Sequence, residues 1–211
     1  MTAIRQAWDD AICTLGGTPD RAADDLVTRY AEPHRRYHTT RHVEAVLADA
    51  DRLGTELGLT ARDRAVVVLA ACAHDVVYDA RPGEDERASA AWAVAALTRA
   101  GLAPELASRV EALVLATLTH EAAPDDLPAA VLLDADLAIL AAPPADYADY
   151  VAGVRAEYAA VPDDAWRTGR SAVLEALAAR AELYVTAPAR ARWEAAARAN
   201  VARESAALAH G

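Results

Sequence analysis

Lysine and phenylalanine are absent from this chain of 211 residues, and cysteine and methionine are scarce, at two and one. All 21 basic residues are therefore arginine, a uniformity that reads as a compositional bias. Without phenylalanine, and with alanine abundant, the apolar content suits close helix packing better than sheet faces. Cys13 and Cys72 make no disulfide framework and fit a reducing compartment, with the thiols as small apolar residues. No uninterrupted apolar stretch nears the ~18–20 residues that cross a bilayer. The first ten residues lack the charged-then-apolar build of a signal peptide. A soluble, cytoplasmic protein with no membrane partner is expected. No glycine-rich phosphate loop is present, and no Ser-His-Asp or Cys-His ordering suggests a protein nucleophile. No repeat, low-complexity linker or charge block divides the chain.

The charge is also one-sided. A net charge of -11 argues against non-specific binding to nucleic-acid backbones or anionic membranes. It leaves room for a small anionic substrate, because a metal ion and a few arginines invert the field inside a cleft. The length fits one domain, or at most two small ones, and leaves monomer and homodimer both open.

Helical periodicity runs nearly throughout. Gly and Pro marks, such as Gly16-Gly17, Pro82-Gly83 and Pro143-Pro144, separate segments of roughly 12–20 residues that are amphipathic or wholly apolar. No segment alternates with period two, so no strand is assigned. Thr60 and Asp63 form a capping-box variant, and Asp20, Ser108 and Asp163 are further candidate caps or first-turn acids. One compact all-α domain of about nine or ten helices over residues 1–211 is expected.

Chemistry concentrates in a few places. Residues 65–73 (AVVVLAACA) are apolar all round and end on His74-Asp75. A helix apolar on every face is buried, and a buried carboxylate costs several kcal/mol unless paired. His38 and His42, four apart, are predicted to share one face of a single helix. His120 ends the segment 110–120. A second apolar helix, 131–140, carries Asp134 and Asp136, whose directions differ by about 200°, so at most one of them faces a given site. Two to four imidazoles and two buried carboxylates, with no thiolate nearby, suit Mn, Fe, Ni, Co, Mg or catalytic Zn, one ion or two, and argue against a Cys-type structural zinc site.

The order His42, His74-Asp75, Asp136 resembles the HD superfamily of metal-dependent phosphohydrolases. Segments 32–42 (EPHRRYHTTRH), 74–78 (HDVVY), 85–90 (DERASA), 133–140 (LDADLAIL), 154–158 (VRAEY) and the pair Gly169-Arg170 are similar to a bacterial branch of that superfamily, over roughly residues 25–205. The resemblance implies an all-α HD-type domain with His42, His74, Asp75 and Asp136 as metal ligands. It favours Asp136 over Asp134 because an apolar stretch follows it. It also adds Glu86 as a site carboxylate.

Hydrolysis of a phosphoester, in a nucleotide or small phosphorylated metabolite, is the expected reaction, by attack of metal-bound hydroxide. Asp75 would orient the water, Glu86 or His120 would act as general acid, and Arg35, His38 and Arg155 would bind substrate, with Arg170 as a further candidate for phosphate oxygens. Two alternatives stand beside it. One is an HD-type di-iron oxygenase using His38 and His120 as extra ligands. The other is a catalytically idle nucleotide-binding sensor.

Overall fold

The computed structural model describes residues 3–210. Ten α-helices follow in order: α1 (Ala3–Thr14), α2 (Ala22–Arg29), α3 (Thr40–Glu56), α4 (Ala61–Ala73), α5 (Glu84–Arg99), α6 (Pro104–Ala116), α7 (Leu127–Asp136), α8 (Pro144–Glu157), α9 (Asp163–Ala179) and α10 (Ala187–His210). A short 3-10 helix, Leu137–Ala141, joins α7 to α8, and no strand occurs among the described residues. The all-α architecture is as the periodicity implied.

Helix α4 is the axis of the fold. The Thr60 hydroxyl accepts the Asp63 N–H at 3.1 Å, closing the first turn. Beyond that turn, Ala65, Val66, Val67, Leu69 and the run Ala70 to Ala73 are all buried. Five helices, α1, α3, α5, α6 and α7, pack around it. Each fully buried Val or Leu stabilises this arrangement by roughly 1.5–3 kcal/mol, and the interspersed alanines let neighbouring backbones come close. Helix α7 is the second apolar helix, capped by Asp126, which accepts the Ala129 N–H at 3.0 Å, and buried from Ala129 to Ala135.

Two expected boundaries move. Helix α6 begins at Pro104 and places Ser108 inside it, on the exposed face. Proline carries the helical φ and needs no N–H partner in the first turn, so it starts the helix ahead of the serine. Helix α3 begins at Thr40, so His38 lies in the preceding loop and does not share a helix with His42.

The C-terminal helices close over the 3-10 segment. The buried Asn200 amide donates to the carbonyls of Leu140 at 2.8 Å and Ala142 at 2.9 Å. The Arg170 guanidinium on α9 grips Glu204 on α10 at 2.7 and 3.0 Å, and the Tyr147 hydroxyl donates to the same carboxylate at 2.5 Å. Among the described residues no single helix is long and apolar enough to cross a membrane. The one stretch that approaches this, α7 with α8, is bent by 106° at its break.

Candidate metal centre

The end of α4 leaves backbone groups that need partners, and side chains meet several of them. The Tyr30 hydroxyl donates to the Cys72 carbonyl at 3.0 Å and accepts the Asp75 N–H at 3.3 Å. His74 Nδ1 donates to the Ala71 carbonyl at 2.8 Å. The Ser89 hydroxyl on α5 bonds both the N–H and the C=O of Val77. Asp85 accepts the N–H groups of Asp79 and Arg81 at 2.9 and 2.8 Å. The chain after the His-Asp pair is thus fixed almost residue by residue.

Arg35 belongs to this clamp and corrects an expectation. Its guanidinium donates to the carbonyls of Asp75 at 2.7 Å, Val76 at 3.0 Å and His38 at 3.1 Å, with Glu32 on its Nε at 3.2 Å. The side chain is wholly buried. It does not line the cavity beside the cluster, and instead orders the two loops that carry His38 and Asp75. Arg155 is corrected in the same way. It donates to the carbonyls of Tyr158 at 2.7 Å and Val161 at 3.1 Å and to Asp163 at 2.6 Å. These bonds hold the α8–α9 turn, and Arg155 is likewise absent from the cavity wall.

Four acceptor groups converge at the centre. His42 Nε2 and His74 Nε2 lie 3.0 Å apart. Asp136 Oδ1 stands 3.3 Å from the first and 3.4 Å from the second. Asp75 Oδ2 approaches at 3.0 Å from His74 and 3.5 Å from His42. Ligand atoms of His42, His74 and Asp136 all lie within 4.8 Å of one another, a group that could hold a metal ion. Because His74 Nδ1 carries the proton given to Ala71, the neutral ring presents a bare lone pair at Nε2, which is how second-sphere bonds set a ligating tautomer. Lone pairs and carboxylates at such distances repel unless a cation or protons lie among them.

The electrostatics agree. Burial opposes charge on both imidazoles, yet the Asp136 and Asp75 carboxylates push His42 up and His74 well up. Burial likewise opposes the two carboxylates, and the histidines hold both well below the usual range. The donor set of two imidazoles and two carboxylates fits a divalent ion in charge and in ligand type.

Asp134 stands apart. Its oxygens accept the N–H groups of Val185 at 2.6 Å and Thr186 at 2.7 Å, tying α7 to the start of α10. Asp136, rotated away from it, is the carboxylate in the cluster.

Two more histidines flank the centre. His120 Nε2 is 3.0 Å from Asp136 Oδ2. The residue has φ of 50°, in the left-handed region, and Arg180 holds it there by donating to the carbonyls of Thr119 at 2.6 Å and His120 at 3.2 Å. His38 Nε2 is 3.9 Å from Asp75 Oδ2, with its ring stacked on Tyr78 at 4.1 Å.

The residue behind His38 is Glu157, which lies within the 154–158 segment but gains no role from the sequence. One of its oxygens accepts the N–H groups of Arg36, Tyr37 and His38 at 2.7, 2.8 and 2.9 Å, and the other accepts His38 Nδ1 at 2.7 Å. Burial raises its pKa, but the His38 bond and the backbone N–H groups outweigh that and hold the carboxyl at about 2. Gly153, one turn earlier, allows the approach, since a Cβ there would stand 3.2 Å from Tyr37 Cβ. A glutamate at the end of a helical stretch of mixed polarity is a weak signal alone. Only the fold shows that it caps the loop ahead of α3.

Glu86 reaches the same region, but its carboxylate accepts the Gly83 N–H at 2.6 Å in the capping box of α5. The cluster opens into a cavity of about 290 Å³ walled by His38, Tyr78, Glu86, His120, Tyr158 and Arg170 among others. A larger cavity of about 530 Å³ lies on the far side of His42, Asp136, Tyr37 and Tyr150, which line both. Neither family models, nor curated proteins, nor solved structures give a match to this chain.

Proposed function

We propose that this chain is an HD-type, metal-dependent phosphohydrolase acting on a small phosphoester. The observation that supports it most is the meeting of His42, His74, Asp75 and Asp136 within 3.0–3.5 Å along the contacts between imidazole and carboxylate, with no arginine paired to either carboxylate among the described residues. These four side chains would hold a divalent transition ion (Mn, Fe, Ni, Co or Zn, with Mg a harder alternative). Such an ion supplies Lewis acidity toward a phosphoryl oxygen and lowers the pKa of water.

The chain's own groups do the rest. Asp75 turns a carboxylate toward the cavity and orients the attacking water. His38, with its Nδ1 proton fixed on Glu157, presents Nε2 to the cavity, where it would take a proton from the attacking water and pass it on to the leaving oxygen. His120 backs Asp136 from the opposite side. Glu86, with one oxygen engaged by Gly83, borders the cavity.

The test is orthophosphate release from a panel of phosphomonoesters after loading with Mn, Ni, Zn or Fe. Release that disappears with chelator and in His74→Ala is expected. No release from any ester while metal is bound would overturn the proposal. The flanking positions of His38 and His120 also favour one rival, a di-iron oxygenase, because each is an imidazole beside a cluster carboxylate. Dioxygen consumption and an iron EPR signal separate the two.

A further inference from the structure

We infer that Arg170 is the anion contact of this site, its free Nη1 donating to a non-bridging oxygen of the substrate's phosphoryl group. This rests on the phosphohydrolase proposal and adds a substrate-binding residue to it. A phosphoryl group on a metal ion still has oxygens that the ion does not take, and those oxygens need donors.

Arg170 is more than nine-tenths buried, with 8% of its side chain exposed. A guanidinium carries five N–H donors, and three of them are spent along one edge. Nε donates to one Glu204 oxygen at 2.7 Å, and Nη2 donates to the other at 3.0 Å and to the Tyr150 hydroxyl at 3.2 Å. The two N–H groups of Nη1 have no partner among the described residues. Folded proteins rarely leave a buried donor unpaired, because the lost hydration is not returned. Nη1 is not sealed off, since Asp9 Oδ1 is the one fully buried side-chain polar atom without a partner among the described residues. Arg170 lies on the wall of the cavity that opens from the cluster, and the spare edge of its fork opens there. Glu204 also accepts the Tyr147 hydroxyl and anchors the spent edge to α10. The fork is thus ordered before a ligand arrives and loses little freedom on binding one.

No other arginine takes this position among the described residues. The chain has no lysine, and Arg35 and Arg155 do not line this cavity. His38 and His120 do line it, but beside the cluster carboxylates, 3.9 Å from Asp75 and 3.0 Å from Asp136, within the reacting centre itself. Arg41 has no ion pair among the described residues, yet it is exposed and lines the larger cavity beyond Tyr37 and His42. There Asp49, Asp146 and Asp149 share the wall with it.

The experiment titrates the metal-loaded full chain with orthophosphate by calorimetry and measures KM for glycerol phosphate beside it. In Arg170→Lys the single ammonium still pairs with Glu204 but offers no fixed fork to the cavity. Orthophosphate should bind about tenfold more weakly or worse, KM should rise in step, and metal content should stay at the parent level. The double variant Arg170→Met with Glu204→Met removes both buried charges together, so neither is stranded, and should show the same loss. Arg41→Gln should stay within about twofold of the parent in both readings. A structural role alone would lower the thermal midpoint and leave orthophosphate affinity where it was. Orthophosphate affinity within about twofold of the parent in both Arg170 variants, or a loss confined to Arg41→Gln, overturns this inference and leaves the phosphohydrolase proposal standing. No release of orthophosphate from any ester by the metal-loaded parent removes both.

Discussion

The Nε2 atoms of His42 and His74 face each other at 3.0 Å, with a carboxylate on either side. Metal and protons must compete for that space. The carboxylates raise both histidines above their ordinary 6.5. A raised histidine stabilises the folded chain fully below its unfolded pKa and loses that contribution as pH climbs through the folded value. The metal-free chain should therefore lose thermal stability as pH rises from about 6.5 upward, while metal-loaded chain should not. Metal uptake should release protons. Thermal scans with and without chelator, and calorimetry in buffers of differing ionisation enthalpy, check both.

Glu157 and His38 give a second pH signature of opposite sense. The Glu157 carboxyl, ordinarily near 4.5, is held at about 2 in the folded chain, so its contribution is complete above 4.5 and fades as pH falls toward 2. Glu157→Gln should lower the thermal midpoint at neutral pH and cut kcat by about 10²–10⁴-fold. The stability gap to the parent chain should close in acid. A gap independent of pH would contradict the charge-based role.

Asp134 and Asp136 are two residues apart and should behave oppositely. Asp134→Ala frees two buried N–H groups and should cost about 2–4 kcal/mol while leaving metal content intact. Asp136→Asn should empty the centre while leaving the backbone N–H groups of Val185 and Thr186 paired. Denaturation midpoints read beside metal content separate them.

The arginines separate likewise. Arg35→Met should destabilise by about 3–5 kcal/mol, because three carbonyls and the loop after Asp75 lose their donor. Arg155→Ala should leave kcat/KM within about twofold and lower stability by roughly 1 kcal/mol, measured by denaturation and steady-state kinetics.

Much of this architecture is legible in the residues alone. Apolar residues on every face of α4 and α7 announce buried helices, and the acids embedded in them announce a cluster. The 200° between Asp134 and Asp136 leaves two candidates, and the backbone N–H groups of Val185 and Thr186, 51 and 52 residues away, account for one. The arginines are not legible. A guanidinium that clamps carbonyls has the same sequence appearance as one that clamps phosphate, because its acceptors are backbone atoms. The His38-to-His42 spacing suggests one helix, but Glu157 caps the backbone N–H groups of residues 36–38 from 119 or more positions away, and the helix starts after them.

The most direct measurement is metal per chain, by elemental analysis of protein purified without chelator, for the parent, His74→Ala and Asp136→Asn, with Asp134→Ala as the control. One or two equivalents in the parent and in Asp134→Ala, with near-zero occupancy in the other two, is the expected result. Equally low metal in all four, even after incubation with Mn, Ni, Fe or Zn, would contradict a metal centre at this cluster.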